Sequence, residues 1–151
     1  MTTLVGTQSD FTDALYELCE LDYDAVETYE AAINSLENPI YIAKMKTFKA
    51  DHERHVKELS GLLRKHQAKV PDRPSPKNLL AQGKVALANL IGDEAILNAL
   101  LSNEVDTYTA YERLNTFQNQ WDEAVEILKK SLEDERRHNQ WLQTTTNGFK
   151  I

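Results

Sequence analysis

Cysteine is almost absent from this chain, in which Cys19 is the only one among 151 residues. A single thiol cannot close an internal disulfide, and it cannot supply the several thiolates of a zinc or iron–sulfur cluster. The sequence therefore gives no support to an oxidising compartment, and we interpret Cys19 as a small, half-buried apolar residue.

Glycine and proline are also scarce, with 5 and 4 residues, whereas hydrophobic residues make up 41% of the chain. This composition is typical of a globular protein and not of a disordered one. No apolar run approaches the roughly 20 residues that a membrane-spanning helix needs. The first ten residues, MTTLVGTQSD, lack the basic and then apolar pattern of a signal peptide. We therefore predict a soluble, cytoplasmic protein with no membrane partner.

An excess of positive charge is lacking too, because the formal net charge is −7. Nucleic-acid surfaces need clustered Lys and Arg to neutralise phosphates. The charge balance therefore predicts that nucleic acid is not a partner.

What the sequence does contain is helical periodicity. Four long stretches place apolar residues three and four positions apart, which is the spacing of a helix with one buried face. They cover residues 9–36, 39–66, 93–117 and 121–143. Since a chain of 151 residues has the size of one domain, we predict a single domain over residues 1–151.

Local signals mark the ends of these helices. Ser9 or Thr12 is predicted to cap the first helix, and Pro39 fits the first turn of the second. Asp93, directly after a glycine, is predicted to cap the third. The tail over residues 144–151 has no strong periodicity, so we expect it to fray.

The connections between the helices predict the topology. Those around residues 37–38 and 119–120 are short, which makes the helices that they join antiparallel neighbours. Residues 67–78 hold three prolines and are predicted to run extended for about 37 Å. A shorter helical stretch follows over residues 79–91. The predicted fold is all-α: an antiparallel four-helix bundle with a long crossover, containing a short helix, between helices two and three.

Six polar residues fall on the apolar faces when each helix is projected at about 100° per residue. They are Asp22 on the first helix, His52 and His55 on the second, Glu104 on the third, and Glu135 and His138 on the fourth. Within each hairpin these positions are equidistant from the short turn, so they are predicted to lie at one level. A buried, unpaired carboxylate costs several kcal/mol, which indicates that the six side chains interact.

The two hairpins also look like copies of one another. Residues 51–55, DHERH, align with residues 134–138, DERRH. Tyr29 follows Asp22 by seven residues, as Tyr111 follows Glu104. We therefore predict approximate twofold symmetry, with Asp22, His52 and His55 facing Glu104, Glu135 and His138. Tyr29, Tyr108 and Tyr111 are expected near this site, packed with a hydroxyl hydrogen bond.

With these residues the chain resembles the ferritin-like superfamily, whose di-iron members are four-helix bundles. Residues 134–138 match the Asp-Glu-x-Arg-His signature of its di-iron oxygenase branch, and the whole chain looks like small bacterial ferritin-like proteins of unestablished activity. The resemblance implies that Glu135 is a bridging ligand and His138 a terminal one. It also implies that Asp22 and Glu104 are terminal ligands. Asp51 and Asp134 would then orient the ligating imidazoles.

One departure from that pattern leaves the metal open. His52 stands where the di-iron pattern has a bridging Glu, and Asp22 is shorter than the usual Glu. The expected cofactor is iron, as a pair or as a single ion, with zinc or manganese as further options. A metal-free network of imidazolium–carboxylate pairs is also compatible with the sequence.

Two functions follow from these alternatives. The first is a ferritin-like metal-binding protein that handles iron or uses a metal against dioxygen or peroxide, and we expect it to be an oxidoreductase and a homodimer. The second is a non-catalytic bundle that acts as a stress-response or interaction module, with the polar network keeping the helices in register. The sequence assigns no catalytic residue.

Overall fold

The structure is a computed structural model that describes residues 3–77 and 79–150. These residues form helices and no strand, which confirms the all-α prediction. The helices are α1 (Phe11–Ser35), α2 (Pro39–Lys65), α3 (Lys84–Ala88), α4 (Asp93–Asn115) and α5 (Ala124–Asn147), followed by a 3-10 turn over Gly148–Lys150. Within the described ranges, no helix has both the length and the apolar character that crossing a membrane requires.

The four long helices pack side by side, as expected for a helical bundle. Helix α1 contacts α2, α3 and α4, and α5 contacts α4 and α2. Their buried faces form two apolar clusters. One joins the beginning of α1 to the end of α2 and includes Leu15 and Leu63. The other joins the end of α1 to the beginning of α2 and includes Ala32 and Met45.

Cys19 belongs to the first of these clusters and is completely buried, not half-buried as predicted. Its Sγ lies 3.6 Å from the hydroxyl oxygen of Ser60 on α2. Burial raises the pKa of the thiol to about 12. The interpretation of Cys19 as a small apolar residue therefore holds, with deeper burial than expected.

Two of the predicted capping residues, those of α1 and α4, differ from the observed ones. Asp10, and not Ser9 or Thr12, caps α1, because its carboxylate accepts a hydrogen bond from the Thr12 amide at 2.9 Å. Pro39 lies in the first turn of α2, as predicted. The cap of α4 is Gly92, and Asp93 is the first helical residue.

Asp93 has a different role from the predicted cap. Its two carboxylate oxygens accept hydrogen bonds from the backbone amides of Glu37 and Asn38, each at 2.9 Å. Asp93 therefore ties the start of α4 to the turn between α1 and α2, which is a contact that local capping rules do not predict.

The C-terminal tail is helical, so the prediction that it frays is wrong for residues 144–150. Helix α5 continues to Asn147, and the 3-10 turn follows it. Thr146 is buried, and its hydroxyl donates to the carbonyl of Leu142 at 2.7 Å. This burial holds the last turn of the helix. Residue 151 lies outside the described residues.

The crossover contains much less helix than predicted. Only Lys84–Ala88 of the predicted helix over residues 79–91 is helical, and residues 68–77 form neither helix nor strand. Side chains of α4 bind the crossover backbone instead. Asn103 exchanges two hydrogen bonds of 2.8 Å with the backbone of Gln82, and Asp106 accepts one of 3.1 Å from the Ala81 amide. Residue 78, in the predicted extended run, lies outside the described residues.

Candidate metal centre

The structure brings all six predicted site residues together in the interior, between the two apolar clusters. Helix α1 supplies one of them, α2 two, α4 one and α5 two. Their side chains are sealed from solvent: Glu104 is 1% exposed and the other five are 0% exposed. They are Asp22, His52, His55, Glu104, Glu135 and His138.

The six residues form two overlapping groups of possible metal ligands. In each group the ligand atoms lie within 4.8 Å of one another. The first group contains Asp22, His52, His55 and Glu135. Oδ1 of Asp22 lies 2.8 Å from Nδ1 of His52 and 3.3 Å from Nδ1 of His55. Oε1 of Glu135 lies 3.5 Å from each of the same two nitrogens.

The second group contains His52, Glu104, Glu135 and His138. Oε1 of Glu104 lies 3.2 Å from Nε2 of His52 and 3.5 Å from Nδ1 of His138. Oε2 of Glu135 lies 3.7 Å from Nδ1 of His138. His52 and Glu135 are therefore common to both groups.

Two of the ligand atoms have no hydrogen-bond partner among the described residues, although both are buried. They are Oε1 of Glu135, which belongs to the first group, and Nδ1 of His138, which belongs to the second. An unsatisfied buried polar atom costs about 1–3 kcal/mol. Carboxylate and imidazole are the ligands that iron, zinc and manganese sites use. The cluster could therefore hold metal, which would supply the bond that each of these atoms lacks.

A second layer of side chains holds the histidines from outside. Asp51 on α2 lies 2.7 Å from Nε2 of His138 on α5, and Asp134 on α5 lies 2.9 Å from Nε2 of His55 on α2. Each Asp is thus at the position where it can orient a histidine of the other helix. These hydrogen bonds turn Nδ1 of both rings toward the cluster.

Two arginines complete this layer, and neither was predicted from the sequence. Arg54 donates to Asp51 and Asp134, and Arg137 donates to Asp134 at 2.8 Å and to Asp51 at 3.1 Å. The Arg137 side chain is 51% exposed, so the layer extends from the cluster to the surface. The repeated spacing Asp-x-x-Arg in both hairpins, at 51/54 and 134/137, was the available signal.

Hydroxyl groups contact the carboxylates of the cluster. Tyr29 on α1 donates to Glu104 on α4, and Tyr111 on α4 donates to Asp22 on α1. Both rings are buried as predicted, whereas Tyr108 is partly exposed with its ring 6.0 Å from the Arg136 guanidinium. Tyr108 is therefore not a cluster contact.

Thr107 is a further contact that was not predicted from the sequence. Its hydroxyl oxygen lies 3.1 Å from Oε2 of Glu104 and 2.9 Å from Oε2 of Glu135. The available signal was its spacing of three residues from Glu104, which places both side chains on one face of the helix.

Charges within the metal-free cluster compensate one another. Burial alone would lower the pKa of His55, but hydrogen bonds to Asp134 and Asp22 outweigh burial and raise it to about 9. Burial is similarly outweighed at His138, where Glu104 and Asp51 raise the pKa to about 10. Imidazolium groups therefore face the carboxylates at neutral pH.

Glu135 differs from the other two carboxylates of the cluster. Burial and repulsion by Glu104 raise the pKa of Glu135 to about 7. Burial also opposes ionisation of Asp22, but hydrogen bonds from His52 and His55 lower the pKa of that carboxyl below its usual value. Glu135 is therefore the acid least stabilised by the neighbouring protein groups and the one with the most to gain from a cation.

A family model covers the part of the chain that carries four of the six site residues. Residues 10–116 match the family described as "Domain of unknown function (DUF2383)". That segment contains Asp22, His52, His55 and Glu104, whereas α5 lies beyond it. No curated protein and no solved structure gives a significant match. The resemblance to the ferritin-like superfamily thus stays a prediction. Because the match covers more than two thirds of the sequence, the chain belongs to the DUF2383 family.

Proposed function

We propose that this protein is a ferritin-like metal-binding protein whose buried cluster binds iron, either to handle iron or to react with dioxygen or peroxide. The observation that carries the proposal is the pair of overlapping ligand groups, each with one unsatisfied buried atom. Oε1 of Glu135 and Nδ1 of His138 make ion-pair contacts of 3.5–3.7 Å but no hydrogen bond, so a metal ion would supply bonds that the neighbouring protein groups do not.

The arrangement of the helices supports the ferritin-like part of this proposal. One apolar cluster contains the start of α1 and the end of α2, and the other contains the end of α1 and the start of α2. Helices α4 and α5 are related in the same way. Leu114 near the end of α4 shares the first cluster with Leu128 near the start of α5, and Leu97 near the start of α4 shares the second with Leu142 near the end of α5. We infer two antiparallel hairpins with a crossover between them, which is the arrangement of ferritin-like bundles.

The ligand chemistry supports iron. Carboxylate oxygens stabilise the oxidised metal, and imidazole nitrogens complete its coordination. Glu104, Glu135 and His138 would hold a first ion, and the Asp22, His52 and His55 half would complete the centre. Iron bound there would supply the electrons for reduction of dioxygen or peroxide.

The surrounding residues prepare the site for such an ion. Tyr29 and Tyr111 hold one oxygen each of the Glu104 and Asp22 carboxylates. Phe48 stacks on the His138 ring with 4.1 Å between centroids, which excludes water from that side. The ligands are therefore oriented before any metal arrives, and little reorganisation accompanies binding.

Metal analysis tests the proposal directly. Protein purified without chelators and loaded with Fe(II) under anaerobic conditions should retain at least about one equivalent of iron after desalting, measured by inductively coupled plasma spectrometry. Zinc and manganese are quantified in the same samples. Less than about a tenth of an equivalent of any transition metal would falsify the proposal.

A second candidate is favoured by the hydrogen bonds of His52. A protonated His52 ring can donate from Nδ1 to Asp22 at 2.8 Å and from Nε2 to Glu104 at 3.2 Å, without a metal. The cluster would then keep the helices in register in a non-catalytic stress-response or interaction module.

Thermal unfolding separates the two candidates. If the cluster binds metal, Fe(II) at 100 times its dissociation constant should raise the thermal midpoint of the unsubstituted protein by about 5–10 °C. An Asp22→Asn, Glu104→Gln double variant should lose that increase. The metal-free network predicts no effect of Fe(II) on either protein and an unchanged or higher midpoint. Glu53→Gln, Glu133→Gln is the matched control, because both of those acids are exposed.

A further inference from the structure

His52 is shared by the two ligand groups in a particular way. Its Nδ1 faces the first group, at 2.8 Å from Asp22, and its Nε2 faces the second, at 3.2 Å from Glu104. Glu135 is shared in the same way, since Oε1 lies near the His55 nitrogen and Oε2 near the His138 nitrogen. The other members of the groups each belong to one group alone.

The two shared residues are partners of one another in the pseudo-twofold relation between the hairpins. The alignment of the two hairpins pairs His52 with Glu135 and His55 with His138. Asp22 with His55 then forms one half, and Glu104 with His138 forms the other. One buried atom without a hydrogen-bond partner lies at each half: Oε1 of the shared Glu135, which faces His55, and Nδ1 of His138, which faces Glu104. The two halves therefore look like two separate positions for an ion.

We propose that the centre is binuclear and that His52 bridges its two ions, with Nδ1 bound to one and Nε2 to the other. The inference rests on the proposed function, because it requires that the cluster binds metal, and it deepens that function by naming the bridging ligand. One ion is bound by Asp22, His55 and Nδ1 of His52. The other is bound by Glu104, His138 and Nε2 of His52, and Glu135 offers one oxygen to each.

Charge balance supports this role for the ring. Asp22, Glu104 and Glu135 carry three negative charges when ionised, and two divalent ions carry four positive charges. A His52 ring bound at both nitrogens has lost both N–H protons to solvent and carries the fourth negative charge. The buried centre is then neutral, whereas a neutral imidazole would leave one uncompensated positive charge in a site sealed from solvent.

The bridge has a measurable geometric consequence. Metal–nitrogen bonds of about 2.0–2.1 Å on opposite sides of one imidazole ring place the ions about 6 Å apart. Ordinary two-metal sites separate their ions by about 3.5–4 Å. The spacing of the ions therefore distinguishes a histidine bridge from a short carboxylate-bridged pair.

Anomalous diffraction from crystals of the full chain tests the proposal, with Fe(II) under anaerobic conditions in one set and Zn(II) in another. We expect two peaks about 6 Å apart, on either side of the His52 ring. A single peak, or two peaks about 3.5–4 Å apart with His52 on one ion, overturns the bridge and leaves the metal-binding function standing. Absence of a peak with either ion overturns both.

Substitutions of His52 test its bridging role independently of the unsubstituted protein. His52→Glu restores four carboxylates and should shorten the separation to about 3.5–4 Å. His52→Gln should weaken binding of both Zn(II) ions at least about tenfold, since each loses a nitrogen. His66→Gln is the control, because His66 is partly exposed and pairs with Glu123. Loss of affinity for only one ion in His52→Gln contradicts the bridge, and diffraction from the unsubstituted protein decides if a variant does not fold.

Discussion

The carboxylate of Asp51 on α2 lies 2.7 Å from Nε2 of His138 on α5, so one hairpin orients a histidine of the other. The reciprocal contact joins Asp134 on α5 to His55 on α2 at 2.9 Å. Because Nε2 of both rings pairs outward with an aspartate, their Nδ1 atoms face the cluster and become available to a metal ion when they lose their protons. The orientation of the candidate ligands thus depends on contacts between the hairpins.

The Asp51→Asn substitution should weaken metal binding. The amide cannot carry the negative charge that increases the basicity of His138, and loss of such a contact typically costs 10–100-fold in affinity. Competition with a fluorescent chelator measures the dissociation constant for Zn(II). The neighbouring Glu53→Gln, on an exposed side chain of the same helix, should leave the affinity unchanged. Equal affinities for the two variants would show that Asp51 does not orient His138.

The metal-free protein should lose stability as the pH rises. The pKa values of His55 and His138 are raised to about 9 and about 10 in the folded protein, whereas an unfolded histidine has a pKa near 6.5. Their stabilisation is therefore fully present below about pH 6.5 and is lost as the pH passes through about 9–10. We expect the thermal midpoint to fall by at least about 5 °C between pH 6.5 and 9.5.

The loaded protein provides the comparison for this pH series. Protons compete with metal for the imidazoles, so bound Zn(II) should stabilise the protein more at higher pH. A thermal midpoint of the metal-free protein that stays constant or increases up to pH 9.5 would mean that these histidines are not protonated in the folded state.

Removal of the tyrosine hydroxyls should destabilise the protein. In Tyr29→Phe the buried Glu104 carboxylate loses one donor, and in Tyr111→Phe the Asp22 carboxylate does. A hydrogen bond to a charged group is worth about 1.5–3 kcal/mol, so urea unfolding should show a loss of that size in each variant. Tyr108→Phe, at a partly exposed ring, should change the free energy of unfolding by less than about 0.5 kcal/mol.

The crossover should open locally when its attachment to α4 is removed. In Asn103→Ala the backbone of Gln82 loses both of its hydrogen bonds to the side chain. We expect a loss of about 1–3 kcal/mol and faster amide exchange at Gln82. Asn98→Ala removes an exposed amide of the same helix and serves as the control. Metal stoichiometry should stay the same in both, because neither side chain contacts the cluster.

Helical periodicity predicted the four long helices because each has a continuous apolar face. It failed where long-range contacts decide the conformation. Leu79 and Leu80 are buried although they lie outside any helix, and Asn103 and Asp106 bind the same segment from more than 20 residues away. Such contacts leave no local pattern, so the short helix was predicted too long.

Helical phase also accounts for the part of the site that could be predicted. Helical phase predicts which polar side chains face the interior, and all six lie there. It does not predict which atom of a ring faces which neighbour, since that depends on side-chain rotamers and on the rotation of adjacent helices. The sharing of His52 between the two groups, and the contacts of Thr107, Arg54 and Arg137, therefore required the structure.

The crossed Asp–His contacts have a consequence for helix sliding. A shift of α5 along α2 by one helical turn, about 5.4 Å, would break the contact of Asp51 with His138 and that of Asp134 with His55 together. The two contacts therefore favour a single register of α5 along α2, and that register is the one in which the ligands have their binding geometry.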